Sequence, residues 1–277
     1  MTNLKHILIT GAAGSIGSEL CKKLAGLGHD VLGVDINESG LFEMFDHIPE
    51  VSTRIVDIRD AYKVHSIFED FLPDIIIHCA AYKHVPMMEE EVYESVKTNF
   101  MGTITVLAEA VQSGVPFTFL STDKAVHPSS VMGMTKALAE RAVLNSGGRV
   151  IRLVNVTGSR GSVARIWAQQ AIDKQPITVT AEHATRYFMS MEQAVEAIIA
   201  ATYEPLGHIY VPRKNELIVI GQLAKQYAEP AGVPIVVTGL RPGEVLHEQL
   251  SEKHLTPIND ILFREDEAPC TSSLKLV

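Results

Sequence analysis

Ile7-Leu8-Ile9-Thr10-Gly11-Ala12-Ala13-Gly14-Ser15-Ile16-Gly17 is the stretch on which the fold turns. A short apolar run gives way to glycines at the spacing GxxGxxG and then to a helical pattern that ends near Gly28. Glycine suits such a turn because a side chain would hold the backbone away from a pyrophosphate, whose charge the following helix N-terminus favours. A glycine pattern alone reads equally well as a plain turn. Here the loop follows a strand and opens a helix, and Asp35 ends the next apolar run, where a carboxylate can accept hydrogen bonds from an adenosine ribose. Gly11, Ala13, Gly14, Ser15, Ile16, Gly17 and Asp35 are therefore the candidate cofactor residues. No arginine immediately follows Asp35 to hold a 2′-phosphate, so NAD is favoured over NADP. Asp57 and Ile58 follow the third apolar run and have two readings, as a contact for adenine or, for Asp57, as a cap of its own loop.

Outward from this loop, short apolar runs alternate with longer helical patterns, the rhythm of parallel strands joined by crossover helices. The expected architecture is α/β with a doubly wound parallel sheet. The strands are read at His6 to Thr10, Val31 to Asp35, Thr53 to Val56, Asp74 to Cys79, Phe117 to Ser121 and Arg149 to Val154. After Glu91, apolar residues at Val92, Val96, Phe100, Ile104, Leu107 and Val111 predict a helix that buries this face. Ser190 and Gln193 have the spacing of a capping box before the apolar run Val195 to Ala201. Prolines at 205, 212, 230, 234 and 242 punctuate the remainder, and the last dozen residues read as a loose tail. The expected division is a cofactor-binding domain over 1–155, which also carries the catalytic residues, and a smaller mixed lobe over 156–277 for the substrate, not strictly contiguous in space.

The 277 residues include 33 acidic and 24 basic side chains, a net charge of -9, which argues against a nucleic-acid partner. A hydrophobic content of 46% is that of a well-cored chain and excludes disordered and fibrous classes. The apolar stretches are far shorter than the roughly 20 residues that cross a bilayer, and no signal-peptide pattern opens the sequence, so no membrane insertion is expected. Cys21, Cys79 and Cys270 have spacings of neither a disulfide framework nor a zinc site, which suggests a reducing, cytoplasmic setting and no metal. Cys79 reads as a small core residue, and Glu89 to Glu91 as a solvated helix start favoured by the dipole.

The centre of the chain reads Ser121-Thr122-Asp123-Lys124-Ala125, then Val131-Met132-Gly133-Met134-Thr135-Lys136. Positions 132 and 136 lie four apart on one helix face and can address one ligand together. The arrangement resembles that of the extended short-chain dehydrogenases/reductases, in which Ser or Thr ends the strand and Tyr-x-x-x-Lys opens the helix. Met132 stands where their tyrosine does, and a thioether cannot shuttle a proton.

That departure, with STDKA before it, resembles the CapD-like polysaccharide-biosynthesis branch of nucleotide-sugar 4,6-dehydratases. The runs HCAAYKHVPMMEE, VKTNFMGT, STDKAVHPSSVMGMTKALAE, NVTGSRGSV, TRYFMS and RPGEVLHEQL carry the resemblance from about Lys5 to Leu250. It implies a Rossmann sheet, NAD, and a UDP-N-acetyl-hexosamine, in the first place UDP-N-acetylglucosamine, converted to a 4-keto-6-deoxy product for surface-polysaccharide or glycan synthesis. Oxidation at C4 acidifies the C5 proton, water is lost from C6, and the hydride returns to C6. By resemblance Asp123 is the acid at C6, Lys124 the base at C5, Thr122 a partner of the C4 oxygen, and Lys136 a holder of the nicotinamide ribose. Which group takes the C4 hydroxyl proton stays open. As a base, Lys124 would need its proton affinity lowered by Lys136 or by burial. Asn99 matches a helix-bending asparagine of the wider family, Ala80, Ala81 and Tyr82 lie along the cofactor, and Lys83 and His84 at the sugar edge. Asn155, Arg160, Arg186 and Arg241 match positions near the diphosphate or uridine, and Glu244 one that holds ribose hydroxyls. Arginine suits a diphosphate through its planar fork of donors. The helices over 92–111 and 131–144 commonly pair in that family, which implies a homodimer or higher homo-oligomer. Two other functions fit the scaffold: a nucleotide-sugar epimerase or 4-ketoreductase, disfavoured by Met132, and a dinucleotide-binding regulator without catalysis, disfavoured by the retained Asp123, Lys124 and Lys136.

Overall fold

The structure, a computed structural model, describes residues 4–266. The first half runs β1 (His6–Thr10), α1 (Ser15–Gly26), β2 (Asp30–Asp35), α2 (Glu38–His47), β3 (Val51–Ile55), α3 (Ala61–Phe71), β4 (Ile75–His78), α4 (Val85–Glu90) and α5 (Val92–Ser95). A π-helical stretch, Val96–Gly102, leads into α6 (Thr103–Ser113), β5 (Phe117–Thr122), a 3-10 turn at Asp123–Ala125, α7 (Val131–Asn145) and β6 (Arg149–Leu153). The second half contains β7 (Asn155–Val156), α8 (Val163–Ile172), β8 (Ile177–Val179), β9 (Thr185–Met189), α9 (Met191–Tyr203) and β10 (Ile209–Pro212). It continues with β11 (Glu216–Val219), α10 (Ile220–Ala231), β12 (Ile235–Val237), β13 (Leu255–Pro257) and β14 (Leu262–Glu265).

Nine strands form the central sheet in the order β13-β14-β10-β6-β5-β4-β1-β2-β3. The run from β3 to β6 has the 3-2-1-4-5-6 order of a dinucleotide-binding fold, and its ladders are parallel. The order reverses between β1 and β4, and a crevice outside the carboxyl ends of these strands follows. Ile7 and Ile9 of β1 face an apolar layer shared with α1 and α9, while Leu8 faces the layer of α3, α6 and α7. This is the period-two alternation of a strand covered on both faces.

Two features differ from the sequence-based expectations. Phe100, Ile104 and Leu107 of the expected face pack in or against the core, but Val92, Val96 and Val111 are exposed, and the most buried line runs through Ser95, Asn99, Thr103, Val106 and Ala110. Val96–Gly102 shifts the later part of this line: a π turn takes an extra residue and rotates the residues after it, Val111 among them, away from the 3.6-residue phase. The division at 155 does not mark a structural boundary, because β10, β13 and β14 extend the first-half sheet and α9 packs on it. The smaller lobe is built from β7, β9 and β11 in one mixed sheet and from α8, α10, β8 and β12 around Trp167 and Ile177. The expected tail, the last dozen residues, lies outside the described residues except for Asp266. The Ser190 and Gln193 capping box forms in both directions at the start of α9. Among the described residues, no helix is long and apolar enough to cross a membrane.

Candidate active site

Gly11 makes the crossing of β1 and β4 close enough to matter. Its φ is +69°, and a Cβ there would lie 2.6 Å from the Ala80 amide nitrogen, so only glycine lets the two strand ends approach. Gly14 begins α1 without a side-chain cap, which leaves the first amides of α1 to an anion. Asp35, at the end of β2, accepts the Ala13 amide at 3.0 Å and the Asn37 amide at 2.9 Å, one on each oxygen. Each oxygen keeps a lone pair for a further donor. Gly11, Ala13, Gly14, Ser15, Ile16, Gly17 and Asp35 thus lie together at the β1, α1 and β2 junction.

Asp57 lies beyond β3 and grips Arg59, whose Nη2 is 2.7 Å from its Oδ2. That hydrogen bond holds the carboxyl below its ordinary value, and Arg59 continues to Glu94 at 2.8 Å. Asp57 therefore braces its own loop, as in the capping reading, while Ile58 is buried beneath Gly102. Ala80, Ala81 and Tyr82 leave β4 along the crevice. Asn99, buried in the π turn, accepts the Tyr82 amide at 2.8 Å and donates to the Tyr82 carbonyl at 2.9 Å, which fixes this strip of backbone. Below it His78 is fully buried between Thr10 at 2.8 Å and Thr103 at 3.1 Å. Burial, then the Lys136 charge, pushes its proton affinity down to about 3, so the ring is neutral.

Beyond β5 the strand end turns at Asp123–Ala125, and Asp123 and Lys124 line a cavity of about 320 Å³ between this turn, Arg186 on β9 and the segment from Gly243 to Gln249. Thr122 donates to Asp123 Oδ1 at 2.9 Å, and Lys124 donates to the same oxygen at 3.1 Å. Burial raises the Asp123 carboxyl to about 6, against the pull of Lys124 and with help from Glu248. A carboxyl of that strength rests mostly ionised at neutral pH but takes up a proton far more readily than an ordinary aspartate, as a donor to a leaving oxygen must. Lys124 departs from expectation. Burial disfavours its charge, but Asp123 and Glu248 outweigh that and hold the ammonium above its ordinary value. The depressed lysine is Lys136, brought down to about 8 by burial, with its Nζ bonded to the Leu120 carbonyl and 4.1 Å above the Phe119 ring. Met132, one helical turn before it, is buried.

The residues matched to the nucleotide end divide. Asn155 stands behind the cavity-lining Glu248, donating to it at 3.2 Å and to the Tyr187 carbonyl at 2.9 Å. Arg186 lines the cavity but spends its guanidinium on the carbonyls of Thr185, Val245 and Leu246 and on Glu248. Glu244 also lines it and is held by Arg241 at 2.6 Å, whereas Arg241 itself is mostly exposed. Arg160 is elsewhere: its loop lies across the glycine cradle, with its amide on Ser15 at 3.0 Å and its Nη1 on the Ala13 carbonyl at 3.0 Å. The far side of that loop rests on Lys83, which donates to the Arg160 carbonyl at 2.6 Å, and on His84, whose ring approaches Gly161. Glu89 is no solvated helix start. It lies in the last turn of α4 and accepts the Val131 amide at 2.7 Å, capping α7. Glu248 was not singled out from the sequence, although it stands in the run RPGEVLHEQL; its distance along the chain from Lys124 hid the pairing.

The sequence profile of a family described as "Polysaccharide biosynthesis protein" matches residues 7–260. The probable polysaccharide biosynthesis protein EpsC of Bacillus subtilis is 38% identical over 271 residues, which are 90% of this chain and 45% of that protein. The chain thus spans about half the length of this relative. The UDP-N-acetylglucosamine 4,6-dehydratase (inverting) of Campylobacter jejuni is 34% identical over 278 residues, covering 92% of this chain and 81% of the enzyme. Among solved structures, the UDP-glucose 4-epimerase of Thermus thermophilus in complex with NAD has a TM-score of 0.80 at 26% identity, covering 88% of this chain and 90% of that one. With its profile matched over nearly the whole described chain, this protein belongs to the polysaccharide biosynthesis protein family.

Proposed function

We propose that this chain is an NAD-dependent nucleotide-sugar 4,6-dehydratase, acting on a UDP-N-acetyl-hexosamine and in the first place on UDP-N-acetylglucosamine. The observation that carries this reading is the Asp123 and Lys124 pair at the end of β5, facing the cavity, with a buried methionine, Met132, in the first turn of α7. A site without the tyrosine of carbonyl reduction but with an acid and an amine 3.1 Å apart suits elimination. NAD fits the cradle that Gly11, the uncapped start of α1 and Asp35 form, and it would supply a hydride acceptor at C4 that is also the donor to C6.

The chain's own residues divide the rest. Asp123 protonates the departing C6 oxygen, and Lys124 removes the C5 proton. Thr122, whose hydroxyl proton is engaged by Asp123, is free to accept from the C4 hydroxyl. Asn99 holds the Tyr82 strip, and Lys136 presents its charge between the cofactor crevice and the strand end. Glu244 lines the cavity on the side assigned to the nucleotide, and Asn155 supports it through Glu248. Exposed Tyr93, Val96, Met134 and Leu138, on the two segments that pair in related enzymes, support a homodimer. The test is incubation with NAD and UDP-N-acetylglucosamine followed by proton NMR. A C6 methyl signal without accumulation of NADH supports the dehydratase; a C6 hydroxymethyl group retained with inversion at C4 identifies an epimerase instead.

A further inference from the structure

Lys124 has two carboxylate neighbours, not one. Its Nζ lies 3.1 Å from Asp123 Oδ1 and 2.9 Å from Glu248 Oε1. Glu248 is buried and cannot swing away freely: Oε1 is also 3.2 Å from Arg186 Nε, and Oε2 accepts from Asn155 at 3.2 Å. Arg186 in turn is tied to the carbonyls of Val245 and Leu246, so the segment that bears Glu248 is fastened to β9. The second oxygen of Asp123, Oδ2, is buried and receives no donor, and the neighbouring Glu248 carboxylate adds to the proton affinity of Asp123. A buried oxygen of this kind costs free energy unless a proton or a ligand hydroxyl serves it.

We propose that Glu248 is a positioning residue that clamps Lys124 against Asp123 and confines the pair to one shared proton, so that the acid and the base of the elimination are tautomers of a single ion pair. This rests on the dehydratase reading. In the resting tautomer the proton is on Nζ. Its transfer across the 3.1 Å contact gives a neutral amine and a protonated carboxyl with no change in net charge. Because the charge total is unchanged, burial opposes this transfer less than it opposes loss of the proton to water. On the 4-keto sugar the amine then takes the C5 proton. The electron pair of that C–H bond becomes the C5–C6 double bond, the C6–O pair leaves with oxygen, and the Asp123 proton completes the departing water. Lys124 ends as ammonium and Asp123 as carboxylate, which is the resting tautomer again.

A fixed anion beside the pair moves both of its members in one direction. It repels a charge on Asp123 and attracts a charge on Lys124, so both hold their protons to higher pH. The other charged groups around the pair are Arg186 behind Glu248, Glu244 held by Arg241, and the histidines His127 and His247 at the cavity wall. Of these histidines, His127 is engaged by Glu252 and His247 by Thr185.

The test is Glu248→Gln in the full chain, with two measurements. The pH profile of turnover on UDP-N-acetylglucosamine is expected to be a bell in which both limbs move to lower pH by about one unit or more, the size of effect that a charge within 4–6 Å produces. The titration of Lys124, followed by NMR of ¹³C-lysine-labelled protein and assigned with Lys124→Arg, is expected to fall in the same direction without any substrate present. Glu248→Asp, which keeps the charge but withdraws it, should shift the same signals less. Unmoved limbs with a lower kcat, or an unmoved Lys124 titration, would overturn the proposal. A wild type that does not turn over this sugar would instead overturn the substrate reading, and the Lys124 titration would still decide the role of Glu248.

Discussion

Arg160 Nη1 donates to the Ala13 carbonyl at 3.0 Å, so a residue 147 positions downstream lies across the glycine loop. The loop that carries it is anchored on the opposite bank by Lys83, so it bridges the cofactor crevice as a strap. Arg160→Ala is expected to speed dissociation of NAD about five- to tenfold, the loss of one net hydrogen bond of about 1 kcal/mol. Affinity for the UDP-sugar should change little. Stopped-flow displacement and calorimetry separate these effects, and a loss confined to the sugar would return Arg160 to the diphosphate.

Asp35 already receives two backbone amides and offers its remaining lone pairs outward. NAD should therefore bind more tightly than NADP by more than about tenfold, since a 2′-phosphate would meet a like charge. Asp35→Asn should narrow that gap. Equal dissociation constants for the two cofactors by calorimetry would refute the assignment.

Lys124→Ala should lower turnover at least roughly 100-fold, the ordinary cost of losing a general base. Met132→Leu, close in volume, should keep most of the activity, because its side chain is buried and lacks a titratable group. In deuterated water the wild type should place deuterium at C5 of the product. A Lys124→Ala enzyme that labels C5 at the wild-type rate would place the base elsewhere.

His78 gives a stability prediction. Its proton affinity in the fold is near 3, against about 6.5 in an unfolded chain, so below pH 6.5 the unfolded chain takes up a proton that the native one refuses. Stability falls as the pH drops from about 6.5 toward 3, and the part due to His78 is about 2 kcal/mol between pH 7 and pH 5. Asp123, raised to about 6, acts in the opposite sense over the same range, so the comparison must be between wild type and His78→Gln. The variant should lose this slope in urea denaturation, and parallel curves for the two proteins would contradict it.

What the sequence disclosed was local. Gly11, Asp35 and the Ser190 cap are specified by near neighbours in the chain, and each sits where its spacing placed it. The phase of the helix after Glu91 was lost because a π turn leaves no mark in an apolar repeat. The raised proton affinity of Lys124 was hidden because Glu248 arrives from a distant segment, and no spacing rule couples two such positions. Arg160 and Arg186 show the same limit: their motifs pointed to a ligand, while the fold spends their donors on backbone carbonyls.

The strands added to the sheet from the second half of the chain constrain how the protein is made. Arg152 on β6 is buried between Glu140 of α7 and Glu265 of β14. Until β10 and β14 have been synthesised, β6 is an open edge, its guanidinium lacks one of its two carboxylates, and the α9 cover over β1 is missing. A nascent chain therefore cannot complete its cofactor half while the ribosome is still translating the rest. A fragment ending at residue 155 should aggregate rather than fold, and the two halves would not serve as interchangeable modules in a chimaera.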